Sequence, residues 1–156
     1  NFPEAHYDMV RSGIGLYGFS GDRKVKFSPV HRLKSIISQI HRVKKNESIG
    51  YNRSYFASKN EKIATIPIGH ADGLTRVFGN KKGFVFINGE KAFIVGNVCM
   101  DAIMVDVTNI ACNEGDQVII FDETHTAEQL CNSAGTISYE LISSISANRI
   151  PRLIVK

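Results

Sequence analysis

The sequence predicts a mainly β domain with two short helices near its end, and three observations carry that prediction. Short β-rich runs recur from about residue 62 to residue 122. Asn88-Gly89 sits between two of them, and this pair suits a type I′ hairpin turn because both central residues need positive φ. Helix-start signals appear only after residue 125. The chain has 156 residues, 43% of them hydrophobic and 22% charged, which is enough to bury one core and too apolar for a disordered segment.

The elements follow in order. Residues 1–22 stand apart: "DMVRSGIGLYGFSGD" carries Gly13, Gly15, Gly18 and Gly21, as in a strand end passing into a turn-rich connection. Residues 30–44 are ambiguous. Val30, Leu33, Ile36, Ile37, Ile40 and Val43 recur at helical spacing, yet "SIISQI" is β-branched. "KIATIPIG" (62–69) reads as a strand that Pro67 ends or places at an edge. "GFVFINGEKAFIVG" (83–96) reads as a hairpin. "AIMVDV" (102–107) and "DQVIIFD" (116–122) add two strands, with Gly115-Asp116 as a turn. Thr126 and Gln129 fit a capping box opening one helix. Ser138 is placed to cap a second, "YELISSIS", with Leu141, Ile142 and Ile145 on one face. Pro151 limits the remainder to an extended tail.

Charge and cysteine content narrow the classes of function. Net charge is +4, with the basic residues scattered; the densest cluster, "HRVKK" (41–45), suits a solvated strand end better than a nucleic-acid site. No apolar run approaches the roughly 18 residues that cross a bilayer. Cys99, Cys112 and Cys131 include no CxxC, which argues against a metal site; an odd count with no visible secretory signal points to reduced thiols and the cytoplasm. "GIGLYG" (13–18) matches G-x-G-x-x-G in letters, but no helix-forming segment follows, so a dinucleotide site is not expected. The chain opens on Asn1, not methionine, and is expected to be either a fragment of a longer chain or a processed product.

Two stretches hold candidate chemistry. "SIGYNRSYFA" (48–57) puts Tyr51 and Tyr55 in a polar stretch of a tryptophan-free chain. A free phenol titrates near pKa 10, so either tyrosine becomes a base only where cations or donors favour the phenolate. "GHADGLTR" (69–76) holds His70, Asp72 and Arg76 between two strands, where a turn and a functional loop are both open readings. Asp101 lies in an apolar run and must be paired or lie at an interface, since burying a lone carboxylate is costly.

In order, "DMVRSGIGLYG", "ESIGYNRSY", "IATIPIGHADGLTR", "INGEKAFIVGNVCMD", "GDQVIIF" and "TISYE" resemble the C-terminal part of the bacterial alanine racemases. Those enzymes use pyridoxal 5′-phosphate to interconvert L- and D-alanine, supplying D-alanine for peptidoglycan. The resemblance implies a fold-type III arrangement: a cofactor-carrying (β/α)₈ barrel, then a β-barrel-like C-terminal domain, in a head-to-tail homodimer whose active sites combine one subunit's barrel with the other's β-domain. Residues 1–22 then become a remnant of the barrel and residues 23–156 the β-domain. It also resolves residues 30–44 in favour of a strand.

By the same resemblance, Tyr51 matches the base on one face of the cofactor-bound substrate, opposite a barrel lysine. Arg11 matches an arginine that donates to the pyridine nitrogen. Gly13, Ile14 and Tyr139 match residues that hold the phosphate. Met100 matches a residue whose backbone amide meets the substrate carboxylate, with Asp101 beside it. His70, Arg76 and Ile137 match residues lining the substrate entrance. Two positions depart: His70 stands where the family commonly has tyrosine, and Asn97 replaces a basic residue of some members. His70 keeps open a racemase acting on serine or a broader range. No stretch supplies the barrel's lysine motif, so residues 1–156 alone are expected neither to racemise alanine nor to bind the cofactor tightly. A non-catalytic basic β-domain binding nucleic acid is the rival reading; against it, Tyr51, Tyr55 and Phe56 do not spread over several strands as a stacking platform does.

Overall fold

The β-rich runs fold as strands. In the computed structural model, which describes residues 2–19 and 27–155, these are β1 (Leu33–Ile36), β2 (Gln39–Val43), β3 (Ser48–Ile49), β4 (Tyr55–Phe56), β5 (Glu61–Ile66), β6 (Phe84–Ile87), β7 (Glu90–Val95), β8 (Ile103–Asp106) and β9 (Gln117–Phe121). Helices α1 (Ala127–Ala134) and α2 (Ser138–Ser144) come last. Asn88 and Gly89 join β6 to β7 with φ of 51° and 81°, the positive values the hairpin turn needs. β5 ends at Ile66, immediately before Pro67.

Seven strands form one antiparallel sheet in the order β1-β9-β6-β7-β8-β5-β2. Its two outer members are consecutive in the chain, separated only by Ile37 and Ser38. The Ile37 N–H donates to the Asp116 carbonyl and the Ser38 N–H to the Thr65 carbonyl, both at 2.9 Å. Segment 33–43 is therefore one bent strand, bonded to β9 along its first half and to β5 along its second. The sheet thus curls into a half-barrel whose two outer strands run on from one another. This settles residues 30–44 as strand. Of the apolar residues at helical spacing, only Leu33 and Ile37 are buried, while Val30 and Ile36 are 65% and 51% exposed.

The interior is filled by Ile66, Val85, Ile87, Ile94, Ile103, Val105, Val118 and Ile120. α1 covers one side with Leu130 and Cys131, and α2 adds Leu141. The Thr126 hydroxyl caps α1 by accepting from the Gln129 N–H at 3.3 Å. Ser138 does not cap α2. It is the first helical residue, Ile137 occupies the cap position, and no side chain caps it; the Thr136 hydroxyl instead donates to the Glu140 carboxylate. Ile145 falls just beyond α2 in extended geometry, yet still packs on the core.

Residues 2–19 form two short 3-10 turns, Pro3–Ala5 and Ile14–Tyr17, without a buried residue. The expected boundary between residues 22 and 23 lies outside the described residues. No helix among those described is long and apolar enough to cross a membrane.

Ile94 is fully buried in β7. Ile94→Ala is expected to cost about 2–5 kcal/mol, and loss of the α1 cap in Thr126→Ala about 1 kcal/mol, both read as a lowered urea midpoint.

Candidate functional site

The two tyrosines have opposite fates. β3 and β4 pair through Ile49 opposite Tyr55, and the chain reverses over residues 50–54. Ile49 packs with Ile63 and Val95 in a small cluster, and Tyr55 lies against it. The Tyr55 hydroxyl donates to both Glu61 carboxylate oxygens, at 2.9 and 3.1 Å. Burial, then the hydrogen bond and charge of Glu61, push the Tyr55 phenol up to about 12. Tyr55 is thus an anchor. Tyr51, at the tip of the same hairpin, is 71% exposed. Asn52 and Arg53 take left-handed φ of 59° and 49°, which turns the chain sharply beside it. Arg53 lies over the Phe56 ring at 5.1 Å, engaged there as a cation over a π face.

The neighbouring loop braces the tip. The Asn97 amide donates to the Tyr51 carbonyl at 3.3 Å, and the Asn97 N–H donates to the Ser54 hydroxyl at 3.0 Å. Asn80 donates to the Asn97 side-chain oxygen at 3.2 Å. Burial pushes the Cys99 thiol up, partly offset by a hydrogen bond with the Tyr51 backbone.

Loop 99–102 is joined in turn to loop 69–73. His70 N–H donates to the Cys99 carbonyl and Ala71 N–H to the Met100 carbonyl, both at 2.9 Å. Gly69 makes this possible: a Cβ there would stand 2.6 Å from three backbone atoms, Ala102 N, Cys99 O and Met100 O. Asp72, 8% exposed, accepts from the Gly69 N–H at 2.8 Å and from Arg149 Nε at 2.8 Å. The same guanidinium reaches Asp101 through Nη2 at 2.5 Å. Hydrogen bonding and charge from Asp72 hold Arg149 above its ordinary value.

The expected site residues divide between two hollows that share no lining residue. One, shallow and about 550 Å³, is lined by Tyr51, Met100 and Asp101 with Gly50, Cys99, Ala102 and Met104. The other, about 720 Å³, is lined by Gly13, Ile14 and Tyr139 among others. Gly13 and Tyr139 lie far apart in sequence, yet a Cβ on Gly13 would stand 3.3 Å from the Tyr139 hydroxyl. The Gly13 backbone and the Tyr139 hydroxyl therefore come close across one wall of this hollow. Arg11, His70, Arg76 and Ile137 line neither hollow, although the His70 backbone is bonded to the loop of the first. Sequence reasoning missed Arg149, whose only visible signal was a position just before Pro151, and left Asp72 open between a turn and a functional loop.

Residues 30–154 match the profile of a family described as "Alanine racemase, C-terminal domain". The chain belongs to that family. The alanine racemases of Methanococcus maripaludis and Carboxydothermus hydrogenoformans are each 40% identical to it, over 97% and 98% of this chain but 42% and 44% of their own length. The chain thus spans less than half the length of these racemases. A Clostridium difficile alanine racemase solved in complex with cycloserine is 41% identical with a TM-score of 0.78, over 88% of this chain and 38% of that one. A Bartonella henselae alanine racemase solved with covalently bound pyridoxal phosphate is 33% identical with a TM-score of 0.81, over 88% and 39%. The curled half-barrel sheet with its two helices is this alanine racemase domain fold.

Two outcomes test the site's construction. Gly69→Ala forces loops 69–73 and 99–102 apart and is expected to lower stability by about 2–3 kcal/mol, as overpacking does, read by denaturant unfolding. The Tyr55 phenol has its folded pKa raised above the ordinary 10.0 to about 12. Its contribution to stability is therefore present below pH 10 and lost as pH rises towards 12. Ultraviolet titration should show one late phenol, which Glu61→Gln brings earlier.

Proposed function

We propose that this chain is the C-terminal β-domain of a full-length alanine racemase, an isomerase interconverting L- and D-alanine in the cytoplasm for cell-wall peptidoglycan. The observation that carries the proposal is the division of the matched residues between two separate hollows. A head-to-tail homodimer would complete each: Tyr51, Met100 and Asp101 would serve the partner subunit's barrel, while residues 1–22 would belong to this chain's own.

Pyridoxal 5′-phosphate fits the residues present. The Gly13 and Ile14 amides and the Tyr139 hydroxyl would hold its phosphate, and Arg11 its pyridine nitrogen. When bound, its ring supplies an electron sink for the pair left behind as the α-proton departs. Racemisation requires that proton to leave one face and another to arrive on the opposite face, so a base is needed on each. In this reading, the Tyr51 hydroxyl carries the proton on one face. Its exposure at a hairpin tip suits delivery across a subunit boundary, and the brace from Asn97 limits the conformations the tip must give up on docking. The Met100 amide would receive the substrate carboxylate. His70, Arg76 and Ile137 would line the approach.

In the full-length enzyme, Tyr51→Phe is expected to reduce turnover in at least one direction by about a hundredfold or more, the range for loss of a general acid–base group. The absorbance of the bound cofactor should be kept. Unchanged turnover in both directions would overturn the assignment. Residues 1–156 alone should show neither racemase activity nor tight cofactor binding by absorbance titration.

A further inference from the structure

The one guanidinium that touches two carboxylates in this fold is Arg149, among the described residues. Its first partner, Asp72, is buried, and a buried carboxylate requires a partner. Its second partner does not. The Asp101 side chain is 65% exposed and lies in the Tyr51 hollow, beside Met100. Nothing about burial compels Asp101 to be paired, yet Arg149 Nη2 reaches it at 2.5 Å. The connection that brings the guanidinium there is equally specific. The Ser144 hydroxyl, at the end of α2, donates to the Gly73 carbonyl at 2.7 Å and the Ser146 N–H just beyond it to the Asp72 carbonyl at 3.1 Å, so the end of α2 and the segment after it are laced to loop 69–73. Arg149 extends from that segment across Asp72 to loop 99–102.

The chemistry of the hollow gives this contact a meaning. A hollow that receives an amino acid's carboxylate is poorly served by a second, uncompensated carboxylate in its wall, because two like charges at close range repel. We propose that Arg149 is a positioning residue for substrate binding: by bridging Asp72 and Asp101 it neutralises the Asp101 charge and fixes loop 99–102, so that the Met100 amide is presented to the substrate carboxylate. This rests on the racemase reading above. The bridge uses two different nitrogens of one planar group, which a lysine ammonium, a single point charge, does not reproduce.

The test uses the full-length enzyme. Arg149→Gln leaves Asp101 ionised and unpaired, and KM for alanine is expected to rise about tenfold, close to the scale of one like charge about 4 Å away in a largely water-filled hollow. kcat should change less than about threefold, because the group acts on binding and not on proton transfer. Adding Asp101→Asn to that variant removes the offending charge and should restore most of KM. A role confined to stability would lower the melting temperature without this charge-specific rescue. A normal KM in Arg149→Gln, or a raised KM that Asp101→Asn leaves untouched, overturns the proposal. If Arg149→Gln is too unstable to purify, Arg149→Lys carries the same comparison, with a smaller KM rise that Asp101→Asn cancels; an unaltered KM there also overturns it. Tyr51→Phe, run alongside, separates the two readings. Lost turnover in Tyr51→Phe together with a normal KM in the Arg149 variants sinks this inference alone, whereas a full-length enzyme that does not racemise alanine sinks both.

Discussion

Segment 33–43 is hydrogen-bonded to β9 on one side and to β5 on the other, and the placement of every site loop follows from that double engagement. A sheet with free edges can twist and slide. Joining its two outer strands through one bent segment ties the ends of the sheet together and constrains the positions at which the neighbouring strands end. The turn carrying Tyr51, loop 69–73 after β5 and loop 97–102 after β7 all leave from this frame. Their mutual contacts are reproducible because their starting points are.

Contact between those loops is then governed by the absence of a side chain. Gly69 lets the backbone of loop 69–73 lie directly on that of loop 99–102, where a Cβ has no room. Backbone hydrogen bonds from His70 and Ala71 fill the space so created. Asp72 closes the assembly from below, accepting from Gly69 and from Arg149. Loop 99–102, which lines the Tyr51 hollow, is thus backed by loop 69–73. A wall whose backbone groups are already paired can present Met100 and Asp101 without reorganising.

Tyr51 and Tyr55 show how little residue type alone says about role. Both belong to one hairpin. One phenol is held by Glu61 and pushed far from any use as a base near neutrality. The other stands at the tip, where the left-handed residues Asn52 and Arg53 turn the chain and Asn97 holds its carbonyl. Asn97, which from the sequence was a missing positive charge, proves to be the brace of that tip.

Much of the fold was legible in the residues because its signals are local. The strand runs, the Asn88-Gly89 turn, the stop at Pro67 and the Thr126 cap each depend on a few neighbouring residues, and each formed where expected. The order of quoted motifs was likewise enough to indicate the family. The α2 cap failed because Ser138 competes with Ile137 for one position, a choice decided by the chain's approach to the helix and not by hydroxyl preference. The reading of residues 30–44 needed the family resemblance, since both sheet edges that claim this segment lie far along the chain. Which tyrosine is anchored, the pairing of Asp72 and Asp101 with Arg149, and the separation of the matched residues into two hollows were beyond local reading. Arg149 stands 77 residues from Asp72 and 48 from Asp101. Such contacts exist only after the sheet has formed, when side-chain direction is set by backbone dihedrals and packing that no short stretch encodes.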